Sequence, residues 1–356
     1  MRGVMVLSVM LAAVGCQKQP TAGPAEYAVA PHLPSPRAGT YARVPADPPD
    51  PVIRALTYSY QWDASLGGAA AGLALGVLHD DFAITGWRVR EASWRAGYPY
   101  PVSRVRAWST PPQSPPPKEL VDWLDAIPAG DDLGVVRGRN AAIDVWVALT
   151  AHPRQNIGVQ PRQLHLGGRI DLPALPGCAY AVATPDGLLF EGSLEIAQRF
   201  DLEVPGEWLF RVEDAAGTVA LFPVYAGMIP PETTLLDDAD LAVVGSVLER
   251  VDRMLARVRE LYGAEPWVRD VRMDAAAESM LSDTPPNLKA VAGSLGYDPA
   301  TFSRWGCTGT SVEDCLDRVI WDPRSRPGLL GNTRDMGLAV RVGAGRVRIV
   351  ALIAPG

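Results

Sequence analysis

The chain has 356 residues, 47% of them hydrophobic and 21% charged, with a formal net charge of −7. That is enough apolar material for two or three compact domains with real cores. No basic stripe is present to neutralise phosphates, so nucleic acid is not expected as a partner.

The first sixteen residues read MRGVMVLSVMLAAVGC. Arg2 supplies a positive start, Val4–Ala12 a short apolar run, and the small residues Ala13, Val14 and Gly15 lead into Cys16. Such a run is too short to cross ~30 Å of hydrocarbon as a stable helix, so it reads as a targeting segment. The segment resembles a bacterial lipobox, with Ala13 where Leu is commoner. That resemblance implies that residues 1–15 are a signal peptide and that Cys16 becomes the lipid-bearing first residue. The membrane is then a partner through the anchor, and two or more acyl chains on one cysteine hold durably. An ordinary secretory signal with a chance cysteine is the competing reading. Gln17, where Asp would suggest inner-membrane retention, points to the outer membrane. In residues 17–52 nine positions are Pro and no apolar periodicity runs through them, which predicts an extended, partly stiff tether.

Residues 53–153 begin with a short segment, 52–61, then Asp63-x-x-Leu66-x-x-Ala69 opening an Ala-rich helix. The Gly67–Gly72 stretch lacks the Lys-Ser/Thr of a phosphate loop. His79-Asp80-Asp81 sets a base beside two carboxylates; it reads either as a catalytic cluster or as a solvated helix end. Trp87, Trp94, Trp108, Trp123 and Trp146 read as core or, stacked on a surface, would suit a sugar or peptidoglycan ligand. Leu120–Pro128 reads as an amphipathic helix stopped by Pro, and Asp132–Ala151 as a hairpin with a polar turn at Gly138–Asn140. His152 and His165 read as satisfied or exposed side chains, and no GxSxG elbow is present.

Residues 154–230 change texture. Strand-like runs at Gln163–Leu166, Arg169–Leu172, Tyr180–Ala183, Leu188–Phe190, Trp208–Val212 and Val219–Val224 alternate with turn pairs such as Gly167-Gly168 and Pro205-Gly206. Turn signals at this spacing predict an all-β, Ig-like sandwich.

Residues 236–356 repeat the landmarks of the first part. Asp335-Met-Gly-Leu precedes Val350-Ala-Leu by the same fifteen residues that separate Asp132-Leu-Gly-Val from Val147-Ala-Leu. Cys315–Pro323 parallels Leu120–Pro128, Gly296-Tyr297 parallels Gly97-Tyr98, and Asp270-x-x-Met273-x-x-Ala276 parallels the Asp63 motif. The copies differ in two ways. The second starts with a long amphipathic helix, roughly Asp238–Tyr262, and carries an insertion, Arg324–Gly331. Ser311-Val-Glu-Asp is a helix-capping signal. Cys307 and Cys315, eight apart, read as a local disulfide or as two buried thiols, beside a lone Cys178. No cysteine–histidine cluster suggests zinc.

This order of elements resembles a bacterial CAP domain, the SCP-like superfamily of cysteine-rich secretory, antigen-5 and pathogenesis-related proteins. The resemblance covers about 236–354 and, more weakly, 55–153. It implies an α+β chain: two CAP-like α-β-α sandwich domains, the first partial, flanking the Ig-like sandwich. Family members with a metal-binding cleft carry His at the places here taken by Met280 and Ser325, and Leu73 takes the helical place in the first copy. Neither Met nor Ser replaces an imidazole as a ligand for a hard divalent cation, so no metal or other cofactor is expected. Arg324, Arg326 and Arg334 around this degenerate cleft read as an anion-binding rim or as solvated surface. The expectation is a non-catalytic envelope lipoprotein that binds an envelope protein or peptidoglycan. The alternatives are a cell-wall- or peptide-directed hydrolase using another site, such as His79 with Asp80 or Asp81, and a structural spacer.

Overall fold

The computed structural model describes residues 39–80, 84–230 and 246–355, with the backbone alone at Asp80. The predicted signal peptide, Cys16, Asp81 and most of the predicted tether lie outside these residues, as do Asp238–Gly245 of the predicted long helix.

The first part runs β1 (Thr40–Tyr41), α1 (Pro51–Thr57), β2 (Gln61–Trp62), α2 (Ala64–Asp80), α3 (Gly86–Arg95), β3 (Val102–Thr110), α4 (Lys118–Asp125), β4 (Asp132–Arg139) and β5 (Asp144–Ala151). Its sheet has the order β2-β4-β5-β3, with the predicted hairpin β4–β5 at its centre. The chain is already packed before residue 52, where the predicted tether ends. β1 pairs with β6 (Gln160–Pro161), and Tyr41 is wholly buried against the ring of Phe222, 5.4 Å between centroids.

The middle part continues with β7 (Gln163–Leu164), β8 (Arg169–Leu172), β9 (Ala179–Ala183), β10 (Leu189–Ser193), β11 (Gln198–Asp201), β12 (Gly206–Asp214) and β13 (Gly217–Ala226). It forms a five-stranded sheet, β10-β9-β12-β13-β7, and a two-stranded ribbon, β11-β8. Phe210 and Phe222, directly opposite across β12 and β13, stack with centroids 5.5 Å apart.

The last part runs α5 (Val247–Leu261), β14 (Val268–Arg269), α6 (Val271–Met280), α7 (Leu288–Leu295), β15 (Ser303–Gly309), α8 (Val312–Ile320), α9 (Arg326–Leu330), β16 (Asp335–Gly343) and β17 (Arg346–Ala354). α5 starts at Val247, where Ser246 and Glu249 form a reciprocal capping box. Ser311 caps α8 by accepting from Asp314 N, as its signal predicts.

The last sheet, β14-β16-β17-β15, has the topology of the first. In both, the short strand is parallel to the first hairpin strand, and Asp132 faces Ala151 as Asp335 faces Ala354. The same residues build the same joints. Gly134 passes so close under α2 that an added Cβ would strike the Leu66 backbone, and Gly337 stands in the same way against Met273. Asp63 caps the turn into α2, accepting from Leu66 N at 2.9 Å; Asp270 caps α6, accepting from Arg272 N at 2.8 Å. Tyr98 donates to Asp132 at 2.9 Å, and Tyr297 to Asp335 at 2.8 Å.

Helices cover both faces of each sheet. In the first part, Leu133, Val135 and Trp146 face α1 and α4, while Val136 and Val147 face the layer of α2. In the last, Met336, Leu338 and Ile349 face α5 and α8, while Ala339, Val350 and Leu352 face α6 and α7. The chain is thus a mixed α+β protein whose first and last sheets are built alike.

Candidate functional site: the cleft of the last sheet

A cleft of about 980 Å³ opens beside β15, the edge strand of the last sheet. Its floor is β15 with the facing part of β17; the end of α6 and the Arg324–Gly328 segment stand above it. β15 borders the cleft because Trp305 turns into the core while Arg304, Gly306 and Thr308 alternate to the outer face. The predicted disulfide joins Cys307 on β15 to Cys315 on α8, with Cα atoms 5.3 Å apart, and so pins this edge to the helix behind it.

Met280 and Ser325 both line this cleft. They are not equivalent in it. Met280 is 3% exposed and belongs to the core under α6 and α7. Ser325 is half-buried at the end of a 3-10 turn capped by Asp322. Neither carries an imidazole, and among the described residues no cluster of three or more His, Cys, Asp or Glu could hold a metal. Leu73, the counterpart in the first part, is buried at 2% in the core shared with the middle sheet.

The cleft wall is polar and basic. Arg304 and Arg348 project from β15 and β17 beside the hydroxyls of Ser303, Thr308 and Ser325, and Asp283 is the acid among the lining residues. Neither arginine stands out in the sequence, because no strand is predicted at β15 or at its counterpart β3. The signal was present: polar residues alternate with Trp305 and Cys307 immediately before a capped helix.

Arg324, Arg326 and Arg334, read as an anion-binding rim or as solvated surface, have three different settings. Arg324 is held at the cleft edge by Glu191, 2.6 Å away, and by Glu213, whose carboxyl it keeps below the usual range by hydrogen bonding. Arg326 is 2% exposed, donates to Glu207 at 2.9 Å and to the Ile320 carbonyl at 3.1 Å, and lies over the rings of Tyr262 and Trp321. It is an internal fastening, not a surface charge, since a guanidinium is buried only where a carboxylate and carbonyls receive it. Arg334 remains exposed.

The other candidates lie elsewhere. His79 is exposed in the last turn of α2, and the Asp80 side chain and Asp81 are outside the described residues. His152 pairs with Asp131 at 2.7 Å, and His165 is exposed. The tryptophans form no exposed stacking surface: Trp87, Trp94, Trp123 and Trp146 are buried, and Trp108 lies edge-on to Trp123. Cys178 is a buried thiol whose pKa burial pushes up.

No family model and no curated protein matches the chain. Among solved structures, it is similar to a cysteine-rich secretory protein from Staphylococcus aureus subsp. aureus Mu50, at 11% identity and a TM-score of 0.25, over 41% of this chain and 55% of that one. It is similar to an extracellular protein containing a SCP domain from Bacillus anthracis str. Ames, at 13% identity and 0.26, over 62% and 81%. It is also similar to Na-ASP-1, at 11% identity and 0.24, over 83% and 80%. The chain thus spans about half the length of the first of these.

Proposed function

We propose that this chain is a lipid-anchored protein of the cell envelope that binds a polar envelope polymer, peptidoglycan above all, without transforming it. In this reading Cys16 carries the lipid at the outer membrane, the Pro-rich stretch after it is the tether, and residues 53–153 and 236–356 are two degenerate CAP-like domains around the β-sandwich of 154–230. The single observation that carries the binding role is the cleft beside β15. It is roomy and polar, it is lined by Arg304 and Arg348, and Met280 and Ser325 stand where the family resemblance implies imidazoles. Hydroxyls and guanidinium groups along an edge strand suit a chain of sugar hydroxyls and carboxylates.

The test is co-sedimentation of the full-length protein with isolated peptidoglycan sacculi. Retention is expected, with affinity reduced about ten-fold in the Arg304→Ala/Arg348→Ala variant and no soluble fragments released on long incubation. A stoichiometric divalent metal that is lost on Ser325→Ala, or release of fragments from the sacculi, would overturn the reading.

A further inference from the structure

A second cavity, of about 240 Å³, lies where the first, middle and last parts of the chain meet. It is separate from the cleft: the two share no lining residue. Its walls are rings, with Trp87 and Trp94 from α3, Trp321 from the end of α8, and Tyr41 from β1. Trp94 and Trp321 meet edge to face at 4.6 Å, which fixes the wall from two distant stretches of chain. A cavity of ~150 Å³ lined by apolar side chains admits benzene, so this space suits one or two fused rings.

The polar atoms in it are out of balance. Trp87 Nε1 is buried and makes no hydrogen bond. Trp87 is 5% exposed, so bulk water does not readily supply the missing partner. The Tyr41 hydroxyl faces the Arg162 side chain, so these two groups serve each other. An indole nitrogen can only donate, and so can a guanidinium. What the cavity lacks is an acceptor.

Charge points the same way. Glu91 pairs with Arg95 at 2.6 Å, and Glu207 with Arg326 at 2.9 Å, so both carboxylates at the wall are already neutralised. Arg162 donates to the Arg95 carbonyl at 3.0 Å and has no carboxylate partner among the described residues. One positive charge is left over beside the rings.

From these observations we propose that the junction cavity binds a small ring-bearing carboxylate, its flat apolar body among Trp87, Trp94 and Trp321 and its carboxylate toward Arg162 and Trp87 Nε1. Because the walls come from all three parts of the chain, such a ligand would also tighten their junction.

Calorimetric titration of the full-length chain, carrying Cys16→Ser so that no acyl chain is attached, tests this with three probes of one shape: 2-naphthoate, neutral 2-naphthamide and cationic 2-naphthylmethylamine. Binding of 2-naphthoate at least about ten-fold tighter than of either other probe is expected. Arg162→Met should remove that preference and leave 2-naphthamide binding unchanged. Leu261→Trp, which places an indole into the cavity from the end of α5, should abolish binding of all three while thermal melting shows the chain still folded. Equal affinity for the three probes, 2-naphthoate binding that survives in folded Leu261→Trp, or no binding at millimolar concentration would overturn the assignment. None of these outcomes bears on sacculus binding by the cleft.

Discussion

The first and last sheets share order, hairpin register and the Gly, Asp and Tyr joints, yet they live in different surroundings. In the first, the α2 face merges with the core of the middle sheet, so Leu73 and Tyr98 are deep inside. In the last, the equivalent α6 face closes over a small core of its own, and the opposite, α8 side turns to the rest of the protein. Trp87 from α3 packs into that α8 core, and Arg90 reaches Asp317 at 2.9 Å. The insertion Arg324–Gly331, which the first copy lacks, supplies Arg324 and Arg326, which bind carboxylates of the middle sheet. The difference teaches that a duplicated sheet diverges by where its spare face goes: one copy is built into the body, and the other is fastened on by an added segment.

The sharpest way to break this comparison is Arg326→Met. If the insertion is the fastening, Glu207 is left buried without its partner, and urea unfolding should show a loss of about 3–5 kcal/mol. The companion change Glu207→Gln should recover much of that. A loss below about 1 kcal/mol would mean that the insertion is incidental.

Next in size are Gly134→Ala and Gly337→Ala. Each added Cβ meets helix backbone, which cannot swing aside as a side chain can, so each should cost about 3 kcal/mol in the same measurement. If only one of the pair is costly, the joints are not equivalent.

The smallest effect separates the two capping aspartates. Burial raises Asp63 to about 6, whereas the hydrogen bond from Arg272 holds Asp270 below the usual range. Asp63 holds its proton more tightly folded than unfolded. Its contribution to stability is therefore full below the ordinary value of 3.8 and lost as pH rises through about 6. Asp270 runs oppositely: its contribution is present above the ordinary range and lost as pH falls through its depressed value. Carboxyl-carbon NMR titration should show two separate midpoints, Asp63 the higher. Coincident midpoints would show that the two caps sit in like environments.

Local pattern made much of this legible. The hairpins at Asp132–Ala151 and Asp335–Ala354 are read from apolar runs around a polar or Gly-rich turn, and the shared fifteen-residue spacing anticipates a shared register. The caps at Ser311 and Asp270 act within three residues, so no distant partner is needed to see them. The edge strands β3 and β15 were not legible in the same way. Their outward faces are Arg, Ser and Thr, and their pairing partners lie some forty residues on.

By itself, then, the sequence determined the duplication, the hairpins with their Gly and Asp joints, and the Cys307–Cys315 pair as an option. These rest on short-range periodicity and backbone chemistry. Only the tertiary structure decided that the option is a bond, that Tyr41 is buried against the middle sheet, that Trp87 and Trp94 are walls instead of a sugar platform, and that Arg326 is internal. A side chain's burial is set by partners such as Glu207, 119 residues away in the chain, and no local window contains them.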